Sequence, residues 1–175
     1  MSERLKIAAL VLAFLGAIVA ANLSLTHWGP SAIVPNAFVL IGLDLVTRDR
    51  LADFWGTRRW SRMLLLIAAG GLLSWWVNRS AATIAEASAV SFAAAECCEA
   101  VAYHLLRRQR WTDRAPRAAT VGAIVDSVVF PTLAFGAFAF GTSLTQFAAK
   151  LAGAVVWTWI VGALLQPPAT APESA

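Results

Sequence analysis

The sequence predicts an all-α polytopic membrane protein, with six transmembrane helices packed around a central polar site. Composition is the first reason. The 175 residues are 59% hydrophobic and 14% charged, with a mean hydropathy of +0.67. Soluble domains sit near about 45–50% apolar and about 25% charged. Pattern is the second reason. The apolar residues fall into six stretches, most of them near the roughly 20 residues that a membrane helix needs. The third is where the exceptions fall. Asp44, Glu86, Glu96, Glu99, Asp126 and Lys150 lie inside or at the edge of these stretches. An ionised group in hydrocarbon costs about 3 kcal/mol or more, so such groups face a bundle interior, a partner or a polar cavity.

The first segment spans residues 7–26 and is closed by His27-Trp28-Gly29-Pro30. Its start, Met-Ser-Glu-Arg-Leu-Lys, resembles that of a signal peptide. The apolar run is longer than an h-region and five more follow, so it is read as a retained first helix. The second segment starts near Ile33 and continues past Asp44 to Arg50. The third, residues 63–78, is short, with Trp60, Trp75 and Trp76 as headgroup anchors. The fourth covers residues 82–106 and is rich in Ala and Ser; the fifth covers 116–135. The sixth covers 144–165 and stops at Pro167-Pro168. Residues 1–166 thus form one transmembrane domain, and 167–175 a short disordered tail. Small residues such as Gly70, Gly71, Gly122, Gly153 and Gly162 read as helix-packing positions.

Arginine placement sets the orientation. Arg48, Arg50, Arg58, Arg59 and Arg62 lie between the second and third segments, and Arg107, Arg108, Arg110, Arg114 and Arg117 between the fourth and fifth. Arg4 and Lys6 precede the first, while the other three connections hold only Arg79. Positive charge stays on the cytoplasmic side. Both termini and both Arg-rich loops are therefore expected in the cytoplasm of a bacterium, with the helices in its inner membrane. The net charge of +4 comes from these blocks, which is no nucleic-acid footprint.

Cys97 and Cys98 are adjacent and point about 100° apart on a helix, so they read as small buried residues and not as a disulfide. His27 and His104 have no partner at metal-ligand spacing. Neither a metal nor another cofactor is expected. Without a nucleophile elbow or a phosphate-cradling glycine loop, no enzyme class is indicated.

The polar residues form stripes. Glu96, Glu99 and Tyr103 share one face of the fourth segment, with Phe92 one turn earlier. Asp126 is placed at similar depth on the fifth. These acids either bind cargo or cross-brace helices; adjacent carboxylates at low dielectric cannot all ionise, so Glu96 and Glu99 are expected to share a proton. Gln146, Lys150, Gly153 and Trp157 form a stripe on the sixth. Lys150 either snorkels outward or serves as a counter-charge. Asn22 either bonds a neighbouring helix or meets cargo. Asp44 and Arg48, one turn apart, can pair, and together with Asp49 they read as a gate or brace.

Several of these segments together resemble the vitamin uptake transporter family, also called the queuosine precursor transporter family. The stretches that carry the resemblance are Ala20-Ala21-Asn22-Leu23-Ser24, then Val34-Pro35-Asn36-Ala37 leading to Thr47-Arg48-Asp49. Ser91-Phe92 through Glu96 and Glu99-Ala100-Val101-Ala102-Tyr103 follow, then Val125-Asp126-Ser127-Val128-Val129-Phe130, and finally Gln146 with Lys150. Glu99 in the fourth segment, where the pattern often has Asp, and Asn36 before the second, where it often has glycine, depart from the pattern. The resemblance implies a fold like the substrate-binding subunits of energy-coupling-factor importers. It also implies import of a 7-deazapurine such as a queuosine precursor. Glu96, Glu99 and Asp126 would then read the donor edge of the base. Asn22, Gln146 and Lys150 would close the outer side, and Phe92, Phe130 or Trp157 would stack on its face. The expected partners are this small molecule and the lipid bilayer, with a homodimer admitted and nucleic acid excluded. The alternatives are a binding subunit that needs a separate ATPase, and a membrane-embedded enzyme or structural subunit.

Overall fold

The structure, a computed structural model, describes residues 2–56, 59–106, 108, 111–136 and 140–165. Among these the secondary structure is entirely helical. Helix α1 runs Glu3–Trp28, opened by Ser2, whose hydroxyl accepts from the Leu5 N–H. It ends at Gly29, where φ is 60° and ψ is −147°, a conformation that glycine tolerates. A short 3₁₀ turn, Gly29–Ala32, leads into α2, Ile33–Asn36, then a π-helical stretch, Ala37–Ile41, and α3, Gly42–Trp55. The remaining helices are α4, Arg59–Val77; α5, Ala82–Leu105; α6, Trp111–Phe135; and α7, Phe140–Leu165.

Most of these helices outrun the apolar stretches that announced them. α1 starts at Glu3 instead of residue 7, α3 runs on to Trp55, α6 starts at Trp111 and α7 at Phe140. Hydropathy marks lipid depth, whereas helical backbone continues through Arg, Lys and Glu, which are good helix formers. Among the described residues, four stretches are long and apolar enough to cross a membrane: Glu3–Leu51, Arg79–Glu99, Arg117–Phe135 and Phe140–Leu165. Ser61–Val77 is a shorter apolar helix, and the run from Ile33 belongs with α1 to the first stretch. By length and apolarity alone, the six crossings expected from the sequence are not reached.

The chain nonetheless folds back after α1. Leu10 and Phe14 of α1 pack with Val46 and Leu51 of α3, Met63 of α4 and Val161 of α7. Short connections make successive helices alternate in direction. The Lys6 ammonium of α1 donates to the Leu165 carbonyl of α7 at 3.0 Å, which places the start of α1 beside the end of α7. A cation there also complements the negative end of the helix dipole. Lys6, Arg50, Arg62, Arg108 and Arg117 accordingly lie toward one end of the bundle, here the basic end. Trp28, Trp75 and Trp76 lie at the other, and Arg79 stacks over the Trp75 ring at 5.8 Å.

α7 turns its polar stripe inward and its apolar face outward. The buried residues of α7 are Ser143, Gln146, Lys150, Gly153 and Val161, while Leu144, Val155, Trp159 and Leu164 are exposed. A helix in water presents the opposite arrangement. Cys97 and Cys98, expected to be buried, are both exposed, because in this bundle the outward face is the apolar one. The expected tail at 167–175, Arg58, Arg107 and Arg110 lie outside the described residues, as do the side chains of Trp60, Tyr103 and Arg114.

Two helices approach within backbone contact. A Cβ added to Gly42 would stand 2.7 Å from the Gly153 carbonyl carbon, and one on Gly153 would strike the Phe38 carbonyl oxygen. This crossing seats α7 against the π-helical stretch. The Trp157 indole N–H donates to the Val39 carbonyl of that stretch at 2.8 Å. π-Turns break the regular ladder and occur often at functional positions.

Candidate functional site

The charged residues inside the bundle resolve into two ion-paired sets at different depths. Nearer the basic end, Arg48 of α3 reaches across to α5. Its Nη1 donates to Glu96 Oε1, and its Nη2 lies 3.7 Å from Glu99 Oε2. Its Nε lies 3.3 Å from Asp49 Oδ1. Phe92 lies under the same guanidinium, 5.9 Å from centroid to Cζ, in cation–π contact. Glu99 sits over Gly122 of α6, where an added Cβ would stand 2.8 Å from Oε2. A planar fork with five donors suits two acids on one helix face. The expected pairing of Arg48 with Asp44 is not formed, because the two α5 acids and Asp49 take the guanidinium instead.

Toward the other end, Lys150 of α7 donates to Asp126 Oδ2 of α6. The Ser91 hydroxyl of α5 donates to the other oxygen, Oδ1. The Lys150 side chain is 1% exposed, so it is a counter-charge and does not snorkel. Asp126 is therefore at the level of Ser91, five residues and roughly 7.5 Å along α5 from Glu96. The expected single cluster of three carboxylates is instead two clusters, each with its own cation.

Asp44 lies between them. It is one helical turn from Arg48 on α3, on the side toward Lys150. It is 6% exposed, and its Oδ1 has no hydrogen-bond partner. Gln146 Oε1 and Ser143 Oγ, one and two turns beyond Lys150 on α7, are likewise buried and without a partner. Together these residues make a polar column along the bundle. Buried acceptors left unmatched cost about 1–3 kcal/mol each, and native structures keep few of them.

A family model described as "Putative vitamin uptake transporter" matches residues 76–164, half of the chain. The chain belongs to that family. No curated protein and no solved structure matches it. The vitamin uptake transporter match spans α5, α6 and α7, and so includes Glu96, Glu99, Asp126, Gln146 and Lys150. Asn22, Asp44, Arg48 and Asp49 lie before it.

The remaining candidates have structural partners. Asn22 donates to the Ser74 hydroxyl of α4 at 3.1 Å, an interhelical brace. Asn36 donates to Ser24 at 2.6 Å and to the Ala21 carbonyl at 3.3 Å, tying α2 to α1. Phe130 packs in a second apolar cluster with Leu25, Ile33 and Ile84, edge-on to Phe135 at 6.5 Å. An open groove bordered by Ala20, Leu23, His27, Pro35 and Val39 lies at the tryptophan end and holds none of the column residues. Sequence reasoning missed Ser91 as the second partner of Asp126 and Ser143 as a column residue. Both are serines on striped helices, a signal too common to single out.

Proposed function

We propose that this chain imports a small planar heterocycle, a 7-deazapurine of the queuosine-precursor type, through six crossings with the basic end in the cytoplasm. Membership of the vitamin uptake transporter family supports the transport part. The polar column supports the cargo class: its buried acceptors outnumber the donors offered to them. A deazaguanine-type base carries adjacent N–H donors that a carboxylate accepts in parallel, together with a carbonyl that an ammonium satisfies. In this reading Asp126 exchanges its contacts with Lys150 and Ser91 for the donor edge of the base. Lys150 turns to the base carbonyl, and Gln146 accepts from what remains. Phe92, one turn from Glu96, offers the flat face. Glu96 and Glu99, held by Arg48, close the basic side, and Asn22 braces α1 against α4.

The observation that carries this reading is the unpartnered Gln146 Oε1, set one turn from a buried ion pair on the inward face of α7. The test is equilibrium binding to the purified chain, using 7-deazaguanines, guanine and a panel of vitamins. Asp126→Asn replaces an acceptor oxygen by a donor group. It is expected to weaken deazaguanine binding by about tenfold or more, since a charge-assisted hydrogen bond is worth about 1.5–3 kcal/mol. Binding of a vitamin in preference to any deazapurine would overturn the cargo class.

A further inference from the structure

We infer that Asp44 is the site at which this transporter carries a proton, and that its protonation decides whether Arg48 ties α3 to α5. The inference rests on the transport reading above. Among the described residues of the column, the acids are Asp44, Glu96, Glu99 and Asp126 and the cations are Arg48 and Lys150, so carboxylates exceed cations by two. Arg48 is engaged by Glu96 and Glu99 and Lys150 by Asp126. Asp44 alone among these acids has a buried oxygen with no donor. A bare carboxylate oxygen buried there has no hydrogen-bond donor to offset its lost hydration. A proton supplies what is missing, and a single oxygen is enough to hold it, whereas a metal cation needs several.

The charged groups that act on Asp44 come from each side. Arg48 and Asp49 are on its own helix, Glu96 on α5 and Asp126 on α6, and Asp126 holds Lys150 of α7. The α1 and α4 surfaces packed against α3 are apolar at Leu10, Phe14 and Met63. With its proton on, Asp44 leaves Arg48 to Glu96 and Glu99, the arrangement seen, and the basic end is tied shut. With its proton gone, Asp44 is an anion one turn from Arg48, at the i, i+4 spacing at which such pairs form. The guanidinium then swings back along α3 and releases α5. Proton and cargo enter from the tryptophan end while the tie is closed. Loss of the proton at the basic end opens the tie and frees the cargo there. Glu96 and Glu99 are in this scheme the latch, and not the proton carriers.

The experiment uses the full chain in liposomes with radiolabelled 7-deazaguanine. Exchange without any gradient reads transport itself. Accumulation under an imposed inward proton gradient reads coupling. One proton per cargo converts one pH unit into about tenfold accumulation, and a protonophore collapses it. Asp44→Asn mimics the protonated acid and cannot release the tie, so it is expected to lose both exchange and accumulation while equilibrium binding of 7-deazaguanine to the purified chain stays within about threefold of wild type. Wild-type accumulation that ignores the gradient overturns proton coupling but leaves the transport reading standing, and so does an Asp44→Asn chain that still accumulates or exchanges at the wild-type rate. Absence of wild-type exchange for any heterocycle tried overturns both. If Asp44→Asn does not fold, wild-type liposomes are treated with dicyclohexylcarbodiimide, which modifies protonated carboxyls in apolar surroundings. Label mapped to Asp44 that declines as pH rises supports the site; no label there at any pH overturns it.

Discussion

Breaking the Lys150–Asp126 pair tests whether the column is held by matched charges. Lys150→Met keeps most of the side-chain volume but removes the ammonium from a position that is 1% exposed, leaving Asp126 with the Ser91 hydroxyl as its partner. Removing one member of a buried ion pair costs about 3–5 kcal/mol. Asp126 keeps 25% of its side-chain surface open, so the lower end, about 3 kcal/mol, is expected for Lys150→Met. Asp126→Asn strands an almost fully buried ammonium and belongs at the upper end, about 4–5 kcal/mol. The double substitution leaves two neutral groups in the same space and is expected to cost about 1–2 kcal/mol, because matched removal avoids the orphaned charge. Tryptophan fluorescence during denaturation in mixed micelles follows unfolding through the chain's 8 tryptophans. Coupling within about 0.5 kcal/mol of additivity would refute the pairing, since independent sites behave that way.

Other outcomes follow from the packing. Gly42→Ala places a Cβ 2.7 Å from backbone of α7; it should prevent the α3–α7 crossing and abolish both folding yield and cargo binding. Gly71→Ala, with nothing within 4 Å, should be neutral or stabilising by up to about 1 kcal/mol in thermal denaturation. Gly122→Ala pushes on the Glu99 carboxylate and should alter uptake more than stability, since the displaced group is the end of a side chain and not backbone. Asn22→Ala should lower stability by about 0.6 kcal/mol, the average for interhelical hydrogen bonds in membranes, with cargo affinity unchanged; a tenfold loss of affinity would return Asn22 to the cargo site. In a chain lacking Cys97 and Cys98, a cysteine at Ser31 should react with impermeant maleimide in intact cells and one at Arg108 should not. The reverse pattern would invert the orientation.

The sequence by itself determined that this is a helical membrane protein, roughly where its helices run, and which side chains are out of place in lipid. Hydrocarbon penalises every charge, so Asp44, Glu86, Glu96, Glu99, Asp126 and Lys150 stood out without coordinates. Local spacing also placed Glu96 with Glu99, and Gln146 with Lys150, on common faces, because a helix fixes its own periodicity. What spacing within one helix does not contain is the relative depth and rotation of its neighbours. These are set by the Gly42–Gly153 approach, by the Lys6 tie to α7 and by the folding back of α3 along α1. Only that packing decided that Arg48 belongs to Glu96 and Glu99 instead of Asp44, and that Lys150 is buried against Asp126 instead of reaching outward. It also left Asp44, Ser143 and Gln146 with unmatched buried oxygens among the described residues. An ion pair between helices is a property of two surfaces brought together, and each sequence segment describes only one of them.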